Sequence, residues 1–348
     1  MDISTLINDN NTSRHFSFEV LPPLKGNGTG FLFSTIDKLK DFNPLYINIT
    51  THHSEYVYRE LENGQFERLR IRRRPGTIAI AAAIQNKYNI PVIPHIICSG
   101  ATKEDIEYEL LDLQFLGIEN LLLLRGDKAK EDSMFKATPN GHEHTTQLIE
   151  QVNQFNNGLF MDGTPIKNPG KPFHFGVAAY PEKHEEAPNL EMDMAYLKMK
   201  QDIGAEYAVT QLFYDNKKYF EFVDKARAMG ITIPIIPGIK PFAKLSQLTV
   251  VPRTFHCDLP QELADRYGLI VLPLSLTVDD KTYHNYLDGR EIGFHELYEK
   301  FRSGSKTSTC AVNPEAFIQV MEPCLREGHD VFYIGFSSGL STTYQSGV

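Results

Sequence analysis

The residue best suited to proton chemistry is Glu19, a carboxylate in the middle of the apolar stretch FSFEVLPP. Side chains alternate faces along an extended chain, so Phe16, Phe18 and Val20 share one side while Ser17 and Glu19 share the other. Turned into the mouth of a folded core, Glu19 would be partly desolvated, its pKa would rise, and it would act as a general acid near neutral pH. A structural ion pair would use the same residue. A second carboxylate, Asp127, closes the run ENLLLLRGD behind Arg125. An acid there can meet a cationic or hydrogen-bond-donating ligand, and the guanidinium can hold a phosphate or a carbonyl. The stretch AAYPEKHEEAP, Ala178 to Pro188, joins two small residues to Tyr180 and His184. The alanines would let a planar ligand approach the backbone while the two rings stack or hydrogen-bond; an ordinary loop with proline turns fits the same letters. Asp193 and Lys200 fall on one helix face two turns apart, either as ligand contacts or as solvated charges.

Other clusters carry less. His52-His53 and the HEH at His142 to His144 lack a metal-ligand spacing, so no metal is expected. KGNGTGF, Lys25 to Phe31, fails the G-x-G-x-x-G test because Phe31 fills the last glycine position. RLRIRRRPG, Arg68 to Gly76, is the one basic patch; it suits an anionic dinucleotide, or a solvated loop. SSGLSTTY near the end sets hydroxyls beside a glycine, which suits a carboxylate or phosphate, or a helix N-cap.

The frame that must position these residues is soluble in composition. The 348 residues are 41% hydrophobic and 23% charged, with net charge −9. A surface this acidic disfavours nucleic acid and anionic membranes as partners. Cys98, Cys257, Cys310 and Cys324 form no C-x-x-C pair, so a reduced, cytoplasmic setting is expected. MDISTLINDNNTSRHF has no cationic start and no apolar core of a signal peptide, and the apolar runs are shorter than a membrane span.

From Ser17 to about Pro241, short apolar runs alternate with amphipathic ones. The apolar runs are FSFEVLPP, LYINITT, IPVIPHIIC, IENLLLLRGD, FHFGVAAYPE, YAVTQLFYD and IPIIPGIKP, the texture of parallel strands buried on both faces. Helical patterns lie between them; Thr102 is a predicted N-cap with Asp105 completing a capping box, and Gly117 and Gly204 are predicted helix stops. The repeat predicts a (β/α)8 TIM-type barrel. Polar residues recur at the strands' C-terminal ends (Glu19, Thr50, His95, Asp127, Glu182, Gln211 and Lys240), and in a barrel those ends form one rim. NGLFMDGTPIKNPGKPFHF predicts a hairpin around Asp162-Gly163 before the fifth strand. No eighth strand and helix follow Pro241. Instead come a strand in GLIVLPLSLTVDD, helices in FHELYEKFRSG and EAFIQVMEPCLREG, a strand in DVFYIGF, and the opening of a helix in SSGLSTTYQSGV.

Taken in order, FSFEVLPP, INITTHH, PHIIC, LLLLRGD, FGVAAYPEKHEEAP, LKMKQDIGAEYAVTQLFYD and PIIPGIKP resemble the methylenetetrahydrofolate reductase family, over residues 1–258. The resemblance implies a (β/α)8 barrel with FAD at its C-terminal rim, NADH or NADPH as hydride donor, and 5,10-methylenetetrahydrofolate as substrate. It implies Glu19 as the acid that protonates the leaving nitrogen when the bridging ring opens, and Asp127 beside the flavin and pterin. It implies FAD contacts from Thr50, His95, Arg125, Gly126, Asp127, Tyr180, His184, Asp193 and Lys200, and substrate contacts from Gln211 and Gln247. Partners so implied are a folate substrate, with a homo-oligomer left open, and no nucleic acid or membrane.

Residues 259–348 resemble something else. DLPQELADRYGLIVLPLSLTVDDKTYHNYLDG, KTSTCAVNP and GFSSGLSTTYQSG are similar to the N-terminal part of the DegV family of fatty-acid-binding proteins, whose second domain has no counterpart here. That resemblance implies a fatty-acid carboxylate held by Thr307 or Ser308 with Ser337 and Ser338. The fold expected is therefore a TIM-type barrel lacking its eighth βα unit, followed by a partial α/β DegV-like segment. Such a barrel has unpaired strand edges. Two alternatives to reductase activity follow: a fatty-acid-binding module, or a composite chain without activity.

Overall fold

The computed structural model describes residues 3–8, 15–52, 55–128, 132, 134–242, 247–266, 268–286, 289–331, 333 and 343–347. The chain divides into two compact units, Met1–Gln211 with Phe220–Gly238, and Leu212–Tyr219 with Ile239–Val348. Residue 258, the expected boundary, lies inside the second unit, in Ile239–Val348.

In chain order the elements are α1 (Ile3–Asn8), β1 (Phe18–Val20), α2 (Thr29–Leu39), β2 (Ile47–Ile49), β3 (Glu55–Glu60), β4 (Phe66–Ile71), α3 (Thr77–Tyr88) and β5 (Val92–Ile97). There follow α4 (Lys103–Phe115), β6 (Asn120–Leu124), α5 (Thr145–Asn156), β7 (His174–Ala179), α6 (Leu190–Asp202), β8 (Tyr207–Thr210), α7 (Asn216–Ala228) and β9 (Ile235–Ile236). The strands β1, β2, β5, β6, β7, β8 and β9 form one parallel sheet in that order. They are the seven apolar runs read from the sequence, and no eighth strand joins them among the described residues.

Register sorts their side chains onto two faces. Glu19, Asn48 and Ile93 stand side by side on β1, β2 and β5. His95, Leu122, Gly176 and Tyr207 do so on β5 to β8. These two rows share the inner face. Its apolar members Ile93, Leu122 and Tyr207 pack with Ile3 of α1. The N–H of Ile3 donates to Asn120 Oδ1 at 3.0 Å, which pins the short helix under the sheet. The outer face presents Ile47, Ile49, Ile96, Leu121, Leu123 and Val177 to apolar side chains of α2 through α7. Each of these strands is buried on both sides, as parallel strands between helices must be.

Local chemistry sets the helix ends. Thr102 caps α4 with a full capping box, its hydroxyl accepting from Asp105 N while Asp105 accepts from Thr102 N. Gly117 and Gly204 adopt left-handed φ of 68° and 114° just beyond α4 and α6. Asp162-Gly163 forms the expected tight turn, closed by one antiparallel bridge between Leu159 and Pro165. The basic stretch around Arg68 to Ile71 is not a loop. It is β4 of an antiparallel ribbon with β3, turned at Asn63-Gly64, where Gly64 has φ 76°.

The second unit contains α8 (Gln247–Phe255), α9 (Gln261–Arg266), β10 (Ser275–Val278), β11 (Lys281–His284), α10 (Phe294–Arg302), β12 (Thr307–Cys310), α11 (Pro314–Arg326) and α12 (Thr343–Gly347). Its sheet is antiparallel, in order β11, β10, β12. Asp279 and Asp280 turn β10 into β11 with φ of 47° and 69°, the geometry of a primed hairpin turn. Leu276, Val278, Tyr283 and Ile292 form its core. The strand expected across GLIVLPLSLTVDD is shorter than its apolar length. Residues 269–274 are irregular, because β11 and β12 both pair only with 275–278 and Pro273 has no N–H to offer a ladder. In DVFYIGF, residues 330, 331 and 333 are irregular, and the rest lie outside the described residues.

Gly176 is where the sheet is tightest. A Cβ there would overlap the ring of Tyr207, whose hydroxyl donates to Leu121 O at 3.0 Å. Gly176→Ala is expected to destabilise the chain by about 1–3 kcal/mol through overpacking, read as a lower urea midpoint. An unchanged midpoint would show that the ring has room to move.

Candidate functional site

Near the mouth of the sheet Glu19 on β1, Asn48 on β2 and His95 on β5 stand on the inner face, with Asn120 of β6 deeper, under α1. Asn48 and His95 are each 5% exposed. Asn48 Oδ1 and His95 Nε2 are buried with no hydrogen-bond partner. Such orphans are rare in folded proteins and mark a place where something else supplies the partner. Burial pushes the His95 imidazole down to about 3, so the ring is neutral. Thr51 Oγ1 donates to His95 O at 2.5 Å and lies 2.6 Å from the Thr77 hydroxyl, which ties β2, α3 and β5 together beside Thr50. Thr50 itself is half-buried, its N–H donating to Val20 O at 3.1 Å.

Glu19 departs from expectation in one respect. It is exposed, so the desolvation anticipated for it does not occur. The reason is topological. β1 pairs only with β2 among the described residues, and an edge strand leaves its mouth-facing side chain in water.

At the end of β6 the backbone turns through Gly126 at φ 82°. A Cβ there would lie 2.8 Å from Ser99 Cβ, so both the turn and the space demand glycine. Ser99 Oγ donates to Asp127 O at 2.9 Å, fixing the exposed Asp127 on the rim. Arg125, at 21% side-chain exposure, pairs with Glu186 at 2.5 Å.

The loop after β7 carries Tyr180 and His184. Lys183 sits at φ 77°, a strained conformation for a residue with a side chain. Its ammonium donates to His184 O at 3.0 Å and Ala187 O at 2.7 Å, which holds the loop in that shape. His184 N donates to Asp193 Oδ2 at 2.8 Å, and Glu186 N donates to His184 Nδ1 at 3.1 Å. With Nδ1 accepting, the neutral ring carries its proton on Nε2. Burial and then the Arg125 charge lower the pKa of His184, against the pull of Asp193 and Glu186. The Tyr180 and His184 rings meet edge to face at 4.8 Å.

Asn189 caps α6 by accepting from Met192 N at 2.8 Å, and the helix presents Asp193 and Lys200 to Tyr180. With Ala178, Ala179, Leu197 and Phe222 these three line a cleft. Burial, with Arg125 adding to it, lowers the Lys200 ammonium below its ordinary range although Asp193 opposes this. Burial, with Asp193 and Asp127 adding to it, raises the Tyr180 phenol. The structure thus brings Arg125, Tyr180, His184, Asp193 and Lys200 into one charged cluster.

Gln211 ends the rim of β8, its N–H donating to Ala179 O at 2.8 Å. Gln247 opens α8 in the second unit. Thr307 and Ser308 are exposed on β12, and Ser337 and Ser338 lie outside the described residues. Sequence reasoning missed Asn48, Ser99 and Glu186. Alternation could have found Asn48, since it is the polar residue within an otherwise apolar strand. Among the described residues no group of three or more His, Cys, Asp or Glu could hold a metal, and no helix is long and apolar enough to cross a membrane.

The sequence model of the methylenetetrahydrofolate reductase family matches residues 3–275. The chain belongs to the methylenetetrahydrofolate reductase family. The DegV family model matches residues 256–348, so the two matches share 256–275. Among relatives of the reductase part, methylenetetrahydrofolate reductase (NADH) 1 of Arabidopsis thaliana is 30% identical over 71% of this chain and 38% of its own length. The 5,10-methylenetetrahydrofolate reductase of Pectobacterium carotovorum is 29% identical over 67% of this chain and 65% of its own. The chain therefore spans less than two thirds of the length of these curated relatives. A solved structure titled as fatty acid binding of a DegV family protein from Thermus thermophilus is 34% identical over 26% of this chain and 31% of that one, with a TM-score of 0.24. Within the reductase family part, all of the buried polar groups just described precede residue 211.

His95 offers a direct check of this geometry. Its folded pKa lies below the unfolded value, so the unfolded chain binds a proton first as pH falls below about 6.5, and stability drops from there toward pH 3. Between pH 7 and 5 the wild-type chain should lose on the order of 2 kcal/mol more than a His95→Gln chain. Urea melts at the two pH values read the difference; equal losses would place His95 in contact with water.

Proposed function

We propose that this chain carries out flavin-dependent reduction of 5,10-methylenetetrahydrofolate to 5-methyltetrahydrofolate. Family membership supports the reaction, and relatives named for NADH and for NADPH support a nicotinamide donor of either kind. The observation that carries the reading is the pair of buried, unpartnered groups, Asn48 Oδ1 and His95 Nε2, on the face that also presents Glu19.

The residues present fit FAD. His95 Nε2 is a neutral donor or acceptor awaiting a partner, and Gly126 turns the backbone at φ 82° between Arg125 and Asp127 on the rim. Thr50, His95, Arg125, Gly126, Asp127, Tyr180, His184, Asp193 and Lys200 would hold the cofactor. When bound, FAD supplies hydride transfer, which no side chain can perform. Glu19 protonates the leaving nitrogen of the bridging ring; the carbon–nitrogen bond breaks toward that nitrogen and leaves an iminium able to accept hydride. A pterin lying over Glu19 would remove the water that now surrounds it, so the desolvation favouring a protonated acid arrives with substrate. Asp127 would face the pterin, and Gln211 would contact the substrate. The four cysteines are free, which suits a reduced, cytoplasmic setting.

The test is spectroscopic. FAD added to the purified chain should bind, and its visible absorbance should bleach with NADH in the absence of oxygen. Glu19→Gln should leave that bleaching intact and slow methylenetetrahydrofolate reduction by at least about a hundredfold. Full turnover in the variant would remove Glu19 from the mechanism, and a wild-type chain that binds no FAD would overturn the reading.

A second reading is favoured by the DegV family match over 256–348: a fatty-acid carboxylate held near Thr307 or Ser308. Mass spectrometry of lipid extracted from the purified chain should then show acyl chains, and their absence sinks it.

A further inference from the structure

Glu186 is the residue through which its own loop meets two other segments of the chain. One carboxylate oxygen pairs with Arg125 Nη1 at 2.5 Å, at the end of β6. The other accepts from the N–H of Phe135 at 3.1 Å, in the segment that follows. Its own N–H donates to His184 Nδ1 at 3.1 Å. The Phe135 ring, fixed through its backbone, then lies against the guanidinium, 4.5 Å from centroid to the Arg125 Cζ. The pair is well shielded, Arg125 and Glu186 having side-chain exposures of 21% and 17%. Burial works against the charged carboxyl, but the bonds from Arg125 and Phe135 outweigh it and hold its pKa below the usual carboxylate range.

An arginine side chain is long and loses much rotamer freedom when ordered. Here that loss is met before any ligand arrives. The guanidinium is a planar fork, and a carboxylate on one nitrogen leaves the remaining donors aimed in a set direction. We infer that Glu186 is a positioning residue: it acts through Arg125, holding the guanidinium between carboxylate and Phe135 ring in the orientation that receives the cofactor. The backbone N–H of the same residue donates to the His184 ring, so the two cofactor-facing groups are set together. The inference rests on the flavin reading for what Arg125 meets, but not for how Arg125 is held.

The experiment uses the full chain and FAD titrations followed by flavin fluorescence. Glu186→Gln, which removes the charge but keeps the size, should weaken FAD binding about tenfold, the scale of one charge-assisted hydrogen bond. Glu186→Asp, which keeps the charge on a shorter arm, should recover part of the loss. In an Arg125→Ala background the Gln substitution should have no further effect, because its route of action is gone. Binding as tight as wild type in Glu186→Gln overturns the inference, as does an equal loss in both backgrounds. A second measurement needs no flavin. Phenylglyoxal should modify Arg125 several-fold faster in Glu186→Gln than in wild type, mapped by peptide mass; equal rates overturn the inference. If the wild-type chain takes up no FAD and the labelling rates still differ, the cofactor reading falls while the positioning of Arg125 by Glu186 stands.

Discussion

Parallel register is the constraint on which the rest of this structure depends. In a parallel ladder, residues opposite one another project to the same side, so each row of side chains is shared by neighbouring strands. Glu19, Asn48 and Ile93 make one row and His95, Leu122, Gly176 and Tyr207 another. A slip of one residue in any strand would send its inner-face groups into the outer core of Ile47, Leu121 and Val177. The apolar outer face forbids that slip, because it would bury Asn48 or His95 among helices that offer them no partner. The polar inner groups are thus placed by the greasiness of their neighbours rather than by any attraction of their own.

The rim is built by a different logic. There the backbone leaves regular structure, and charged side chains replace ladder hydrogen bonds as the fasteners. Lys183 is the clearest case: a strained residue whose own ammonium gathers the carbonyls of the turn it begins. His184, Glu186 and Asp193 extend that network to β6 and α6. In His184, Lys200 and Tyr180, burial shifts the protonation behaviour first and charged neighbours shift it second. The rim is therefore electrostatically coupled. A change at Arg125 would be felt at His184, Lys200 and Tyr180 together.

Much of this was readable from the letters. The seven strands stood out because burial on both faces leaves a continuous apolar run, and the α4 cap stood out because Thr102 and Asp105 have local partners. Asp193 and Lys200 could be put on one face because helix periodicity is local too. What could not be read depends on distant partners. Glu186 looks like any loop acid until Arg125, from another strand, arrives beside it. Glu19 is exposed rather than desolvated because β1 lies at the edge of the sheet, and although an unpaired edge was legible in the missing eighth unit, its effect on Glu19 was not. The ribbon of β3 and β4 was a signal overlooked, since Asn63-Gly64 between alternating residues announces it. Residues 269–274 show the reverse error: an apolar run is a strand only where a partner strand reaches it.

The docking of α1 has a consequence for the order in which the chain assembles. Ile3 is fully buried, and its amide bonds to a residue 117 positions later. Its cluster holds Tyr46, just before β2, and Ile93, Leu122 and Tyr207 on β5, β6 and β8, all well along the chain. A six-residue helix is too short to persist by itself in water, and closing so long a loop costs entropy before any contact repays it. A helix this far in sequence from the residues it packs against must therefore settle only after they have come together. Tyr207 and its neighbours pass through a stage in which the floor of the sheet is open and α1 has yet to seal it.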